Sequence, residues 1–290
     1  MSVAVMRCCA TAPILESYEA ATDSLLARFG IPRVEVDFNC CGYPLRNERL
    51  DAWVFSSARN LALAERAGAD LVTVCACCYG STKQADRLLR TDEGLRASAN
   101  EAIAGERLRF AGSANVRHLL HVLRDDVGLA RIRAERKRSF EGLRVACHYG
   151  CHLLRPGDVV DLDDAKAPTV MEDLVAATGA EPIGWTARLD CCGAPVWGVN
   201  DALSEDLTAR KLRNAREAGA DALCVVCPWC FIQLDRVRRA LRDGQGTEPL
   251  PVILVHQLVG LALGVDAAAL GLPAGWAPPA RGEPLARSAP

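Results

Sequence analysis

Fourteen of the 290 residues are cysteines, and their spacing repeats. Cys9, Cys40, Cys41, Cys75 and Cys78 read C-x30-CC-x33-C-x2-C, and Cys151, Cys191, Cys192, Cys227 and Cys230 read C-x39-CC-x34-C-x2-C. A thiolate can be a nucleophile, a metal ligand or half of a redox pair, and helix N-termini and metal ions favour it over the thiol. Disulfides fit the adjacent pairs poorly. Consecutive Cα atoms lie about 3.8 Å apart, below the roughly 4.4–6.8 Å that bridged cysteines prefer. Two neighbouring thiolates can instead bind different irons of one cluster. Gly42 and Gly193 follow the pairs. They permit positive φ and a close backbone approach, and Pro44 and Pro195 then stiffen the exit. Five thiolates per set are one too many for a mononuclear tetrahedral zinc and one more than an ordinary cubane uses.

These cysteines need elements that bring them together. Val3–Met6, Val34–Phe38 and Asp70–Val74 read as strands that end at cysteine loops, and so do Leu143–Ala146, Trp185–Asp190 and Leu223–Val226. Helical patterns follow in SYEAATDSLLARF, GSTKQADRLLR, Met171–Thr178 and FIQLDRVRRALR. Alternating strands and helices predict an α/β fold with a mainly parallel sheet in each half. Loops after parallel strands converge at the carboxyl edge, where ligands bind. AGADLVTVCACCYG and AGADALCVVCPWCF align with one inserted residue, so the chain reads as a duplicated domain. The expected units are residues 1–140 and 141–270, joined near the basic, solvated stretch Arg131–Gly142, with a poorly ordered Pro-, Ala- and Gly-rich tail over 271–290.

The bulk numbers narrow the function. Lys and Arg total 34 against 36 Asp and Glu, the net charge is −2, and half the residues are hydrophobic. Nothing in that balance points to nucleic acid or a membrane surface. No run of about 20 apolar residues exists to span a bilayer, and the N-terminus lacks the pattern of a secretory leader. A cytoplasmic, reducing location is therefore expected, where dense cysteines read as metal ligands or redox centres.

At this point the sequence resembles the heterodisulfide reductase B-subunit family. The double C-x(30–39)-CC-x(33–34)-C-x2-C pattern is that of two cysteine-rich CCG domains. CHYGCHLLRP at Cys147–Pro156, MEDLVAATGAEP at Met171–Pro182 and HQLVGLALG at His256–Gly264 extend the likeness over residues 2–265. The resemblance implies two tandem, pseudo-symmetric domains, each binding a noncubane [4Fe-4S] cluster through its five cysteines. It implies that a disulfide is cleaved between the two clusters, each passing one electron. It also implies partners: a small ferredoxin-like iron–sulfur protein of the family's C type, and further upstream a flavin-containing protein of its A type. A sulfur-oxidising or quinone-linked electron-transfer complex using the same clusters is the alternative, and a structural zinc protein is a second one.

Disulfide reduction takes two electrons and two protons. His148 and His152 flank Cys151 and are candidate proton donors. The bland alternative is that they only hydrogen-bond sulfur or backbone. Arg155 could meet an anionic substrate, though an ion pair is the commoner role. Cys147 and Cys224 sit in apolar strand patterns and read as core residues. Cys8 and Cys77 neighbour ligands and read as bystanders rather than substitute ligands. Tyr43, Tyr79, Trp197 and Trp229 read as packing that shields the sites from water.

Overall fold

A computed structural model of the chain describes residues 2–9, 15–245 and 250–273; most of the expected tail, from 274 on, lies outside the described residues. Two four-stranded parallel sheets form, one per half, with flanking helices. The first runs β2-β1-β3-β4, built from β1 (Val3–Met6), β2 (Arg33–Val34), β3 (Asp70–Thr73) and β4 (Val116–His118). The second runs β6-β5-β7-β8, from β5 (Arg144–His148), β6 (Glu181–Ile183), β7 (Ala222–Val225) and β8 (Val252–Leu254). The sheets have the same strand order and match in register. Met6 pairs with Thr73 in the first and His148 with Val225 in the second.

The central strands are apolar because both faces are covered, as parallel sheets require. β3 and β7 are buried at every position. Around the first sheet lie α1 (Glu16–Phe29), α2 (Leu50–Arg66), α3 (Ala76–Thr91) and α4 (Glu93–Ile103). Gly30, at φ 68°, closes α1 with a left-handed cap. A π-helical stretch, Val122–Gly128, leads into α5 (Leu129–Glu135). The second sheet carries α6 (Val170–Ala177), α7 (Asp201–Glu217), α8 (Pro228–Gln245) and α9 (Val255–Ala262).

The halves are interlocked. α1 of the first half packs on α9 and on the turn Ala268–Leu270 of the second, and the Ser24 hydroxyl donates to the Ala269 carbonyl at 2.8 Å. One hydrophobic core runs from Val3 through both sheets to Leu270. At Gly80 of α3, a Cβ would lie 2.5 Å from the His152 carbonyl oxygen. Glycine there lets the cysteine turn of the second half sit directly on a first-half helix.

Three sequence expectations change. The strand expected at Trp185–Asp190 is instead Glu181–Ile183, a three-residue edge strand containing Pro182. Proline is tolerated there because an edge strand has one unpaired side. The strand expected at Val34–Phe38 is only Arg33–Val34. The stretch Arg131–Gly142 is solvated on its basic side chains, yet Ile132 and Phe140 are buried and the Lys137 N–H donates to the Ala262 carbonyl at 2.8 Å. It is a docked connection, not a free linker.

Candidate metal centre

Both C-x2-C pairs open a helix. Cys75 is the extended residue immediately before α3, at φ −105° and ψ 126°. Cys227 immediately precedes Pro228, the first residue of α8. Proline suits that place because its missing N–H has no helical partner there. A helix N-terminus favours negative charge placed beside it. Of these four thiols, Cys227 is held well below the usual thiol range, while burial pushes Cys75 up and neighbouring thiols push Cys78 and Cys230 up.

The two CCG turns are built alike. Gly42 and Gly193 have φ of 77° and 93°. The turn aims backbone N–H groups at sulfur. Those of Gly42 and Tyr43 face Cys40 and Cys41. Gly193 N–H donates to Cys191 Sγ at 3.4 Å, and Ala194 N–H faces Cys192. Hydroxyls on the following helix fix each turn from behind. Ser57 of α2 donates to the Cys41 carbonyl at 3.0 Å, and Thr208 of α7 donates to the Cys192 carbonyl at 2.7 Å.

Thiol contacts link the ten motif cysteines into one row. In the first half it passes from Cys9 to Cys40, Cys41, Cys78 and Cys75. It crosses to Cys227 and continues through Cys230, Cys192 and Cys191 to Cys151. The order is a palindrome of the two motifs, joined where Cys75 meets Cys227. Three groups are tightest, each with ligand atoms within 4.8 Å of one another: Cys8, Cys75 and Cys78; Cys75, Cys77 and Cys227; and His148, Cys192 and Cys230. Tyr18 sits at the junction. Its buried hydroxyl contacts the carbonyl oxygens of Val74 and Val226, the residues just before Cys75 and Cys227.

Shared protons divide the row into thiols and thiolates. Hydrogen bonds from Cys40 and then Cys78 hold Cys41 down at about 3. Those from Cys151 and Cys192 hold Cys191 at about 2. Contacts from Cys230, Cys75 and Cys77 hold Cys227 well below the usual thiol range. The donors in these contacts, Cys40, Cys78, Cys151, Cys192, Cys230, Cys75 and Cys77, are all pushed up.

A cavity of about 220 Å³ opens beside the first set, lined by Cys9, Cys40, Cys77 and Tyr43 and closed by Pro195 and Trp229 of the second half. The donor set is sulfur-rich. A structural zinc takes four protein ligands at one ion, whereas the groups among the described residues hold three ligand atoms each, and two of them are joined through Cys75 into a longer run of sulfurs. An extended row of thiolates fits a polynuclear iron–sulfur group better than a single ion.

The histidines differ from each other. His148 is buried, its Nδ1 is 3.4 Å from the Arg188 carbonyl oxygen, and it joins Cys192 and Cys230. Burial pulls it down to about 3, so its ring is neutral. His152 lies edge-on to Tyr43 with ring centroids 5.0 Å apart, and its Nδ1 is 3.5 Å from Cys77 Sγ. Burial lowers it as well.

Cys147 and Cys224 are register partners in β5 and β7 and fully buried, as their apolar contexts implied. Trp197 departs from its expected shielding role: it is 41% exposed, with Arg236 stacked over it at 4.6 Å. Tyr79 is buried but turns from the sulfurs toward His118 and His121. Cys8 and Cys77, read from sequence as bystanders, both enter the thiol row. Sequence reasoning also passed over Lys211. Its ammonium is buried over the Trp185 ring and donates to the carbonyls of Ala187 and Asp190. Burial draws it down to about 8. Only its polar helical context, ARKLRN, is visible in sequence, and that gives no signal.

Comparison with known proteins decides the family. The cysteine-rich CCG domain model matches twice, at residues 3–83 and 145–235. A Methanosarcina acetivorans protein, the B subunit of ferredoxin/F(420)H(2)-dependent CoB-CoM heterodisulfide reductase, is 34% identical over 88% of this chain and 86% of its own. The chain belongs to the heterodisulfide reductase B-subunit family. A Methanosarcina mazei member, the B subunit of ferredoxin:CoB-CoM heterodisulfide reductase, is 33% identical over 88% of this chain and 86% of its own. The 8-methylmenaquinol:fumarate reductase membrane anchor subunit of Wolinella succinogenes is 32% identical over 84% and 85%. Among the described residues here, no helix is long and apolar enough to cross a membrane. A hypothetical protein from Helicobacter pylori shares the fold, with a TM-score of 0.73 at 17% identity; the match covers 93% of this chain and 50% of that one. Family membership makes this chain a cysteine-rich subunit of oxidoreductase type.

Proposed function

We propose that this protein cleaves a disulfide reductively between two [4Fe-4S] clusters. Cys9, Cys40, Cys41, Cys75 and Cys78 would hold the first. Cys151, Cys191, Cys192, Cys227 and Cys230 would hold the second. The observation that carries the reading is the single thiol row crossing from one half to the other at Cys75 and Cys227, beside a cavity lined by both halves. Two linked one-electron sites suit a two-electron bond cleavage. Family resemblance adds that the clusters are noncubane. When bound, each cluster would supply one electron.

The chain's own residues do the rest. Pro195 and Trp229 bring the second half to the wall of the cavity. The His152 ring contacts Tyr43 and Cys77, two residues that line the cavity, and this makes it the candidate of the two histidines to deliver a proton. His148, neutral and fixed to the Arg188 carbonyl, positions the Cys192 side of the second set. A ferredoxin-like iron–sulfur protein would deliver electrons, itself fed by a flavoprotein. It would dock over the exposed Leu45, Leu50 and Val199, which follow the two CCG turns. The substrate would be the CoB–CoM heterodisulfide or an analogue, the former being what the Methanosarcina relatives are named for.

Iron and labile sulfide on anaerobically purified protein test this directly, followed by electron paramagnetic resonance after oxidation with added thiol. About eight irons per chain and a thiol-dependent signal support it. Zinc without sulfide overturns it. The Wolinella relative supports a second reading, electron relay within a quinol-linked complex. That reading keeps the clusters but lacks the thiol-dependent signal.

A further inference from the structure

We propose that Cys8 is a sixth cysteine ligand of the first cluster, so that the two sites of this chain are unlike. The inference rests on the cluster reading above and goes beyond the five-cysteine pattern.

The two sheets supply the alignment. Met6 and His148 occupy the same register position beside β3 and β7. Counting on, Cys9 matches Cys151 and Cys8 matches Gly150. In the second half, Gly150 has φ 79°, and a Cβ there would lie 3.5 Å from Cys227 Cβ and 3.6 Å from Cys230 Sγ. Ala76 Cβ is equally near, at 3.5 Å, and glycine leaves that space empty of side chain. Cys8 does not share the positive φ, so the two positions match in register and not in backbone conformation. In the first half the same position carries a thiol. Cys8 is 2% exposed, and its Sγ lies within 4.8 Å of both Cys75 and Cys78. Cys9 is exposed and contacts Cys40 as well as Cys8. Cys8 therefore links Cys9 to the C-x2-C pair.

A buried thiol this close to two ligand sulfurs stands within bonding reach of the iron they hold. Losing its proton on binding, it adds one negative charge to the first site that the second site lacks. Extra thiolate charge is one of the levers that tunes iron–sulfur centres.

The test compares wild type with C8G, which copies the second half, and C8S, which keeps size and loses the soft ligand. C41A and C192A proteins show which spectral components belong to which site. Both Cys8 variants are expected to shift the Mössbauer and paramagnetic parameters of the first site only. They should also speed iron release from it to a chelator by about tenfold or more, as loss of a metal-supporting group commonly does. Native spectra and release rates in both variants, with full iron and sulfide, would overturn the proposal and leave the cluster reading standing. Wild-type protein holding zinc without sulfide would overturn both.

Discussion

The thiols of Cys75 and Cys227 lie within 4.8 Å of each other, although they begin equivalent helices in opposite halves of the chain. The two sets of motif cysteines therefore share a wall. Substituting Cys192, which sits inside the second set, is expected to remove the second site's iron and leave the first. Substituting Cys227 is expected to disturb both, because Cys75 and Cys77 lose a neighbouring sulfur. Iron per chain should fall by about half in C192A, two equal [4Fe-4S] sites being implied, and further in C227A, with the first site's paramagnetic signal altered only in the latter. An identical first-site signal in the two variants would show that the sets are independent.

Tyr18 holds that wall from below. Its hydroxyl has one proton and faces two acceptors, the carbonyls of Val74 and Val226. Burial keeps it protonated. Tyr18→Phe removes the one donor that these two carbonyls share at the junction, and a lost buried partner costs about 1–3 kcal/mol. Urea unfolding should show a loss of that size with the m-value unchanged. A fully native stability would mean that water replaces the hydroxyl.

The CCG glycines give a graded expectation. A Cβ on Gly193 would lie 2.5 Å from the Ser204 carbonyl oxygen and 2.7 Å from Thr208 Oγ1, whereas one on Gly42 would meet Trp53 at 3.1 Å. Both glycines also have positive φ, which costs a side-chain-bearing residue about 1–3 kcal/mol. Gly193→Ala should therefore destabilise more than Gly42→Ala and cost the second site its iron. Equal effects in thermal unfolding would show that backbone strain alone, and not the close contact, sets the requirement.

Much of this was legible in sequence because it is periodic. VAVM before Cys8, DLVT before Cys75 and ALCV before Cys227 are apolar runs that end at cysteines, and they became central strands. β6 is not legible in sequence, because an edge strand reading EPI has neither length nor apolar pattern. β4 and β8 were passed over for the same reason of length, three residues each. The ten motif cysteines could be named from spacing, but their joining at Cys75 and Cys227 could not. That contact depends on how two sheets pack, and Gly80, which permits the approach, is an ordinary glycine in sequence. Cys8 needed the strand register to be distinguished from Cys9.

The buried histidines set the acid limit of the fold. Burial lowers His118 to about 3, His121 to about 4 and His256 to about 3. Unfolded histidine titrates near 6.5. Between about 6.5 and 4 the unfolded chain therefore takes up protons that the folded chain refuses. Stability is full above neutral pH and falls as pH drops through that window. Each such histidine contributes a slope of about 1.4 kcal/mol per pH unit around pH 5. His256 isolates the effect. It is fully buried, lies outside the thiol row, and meets Tyr18 edge-on with ring centroids 4.6 Å apart. In His256→Gln, urea unfolding at pH 6 and pH 5 should show a slope smaller by about one proton's worth than in wild type. An unchanged slope would mean that His256 is protonated in the folded protein, and that the acid sensitivity lies elsewhere.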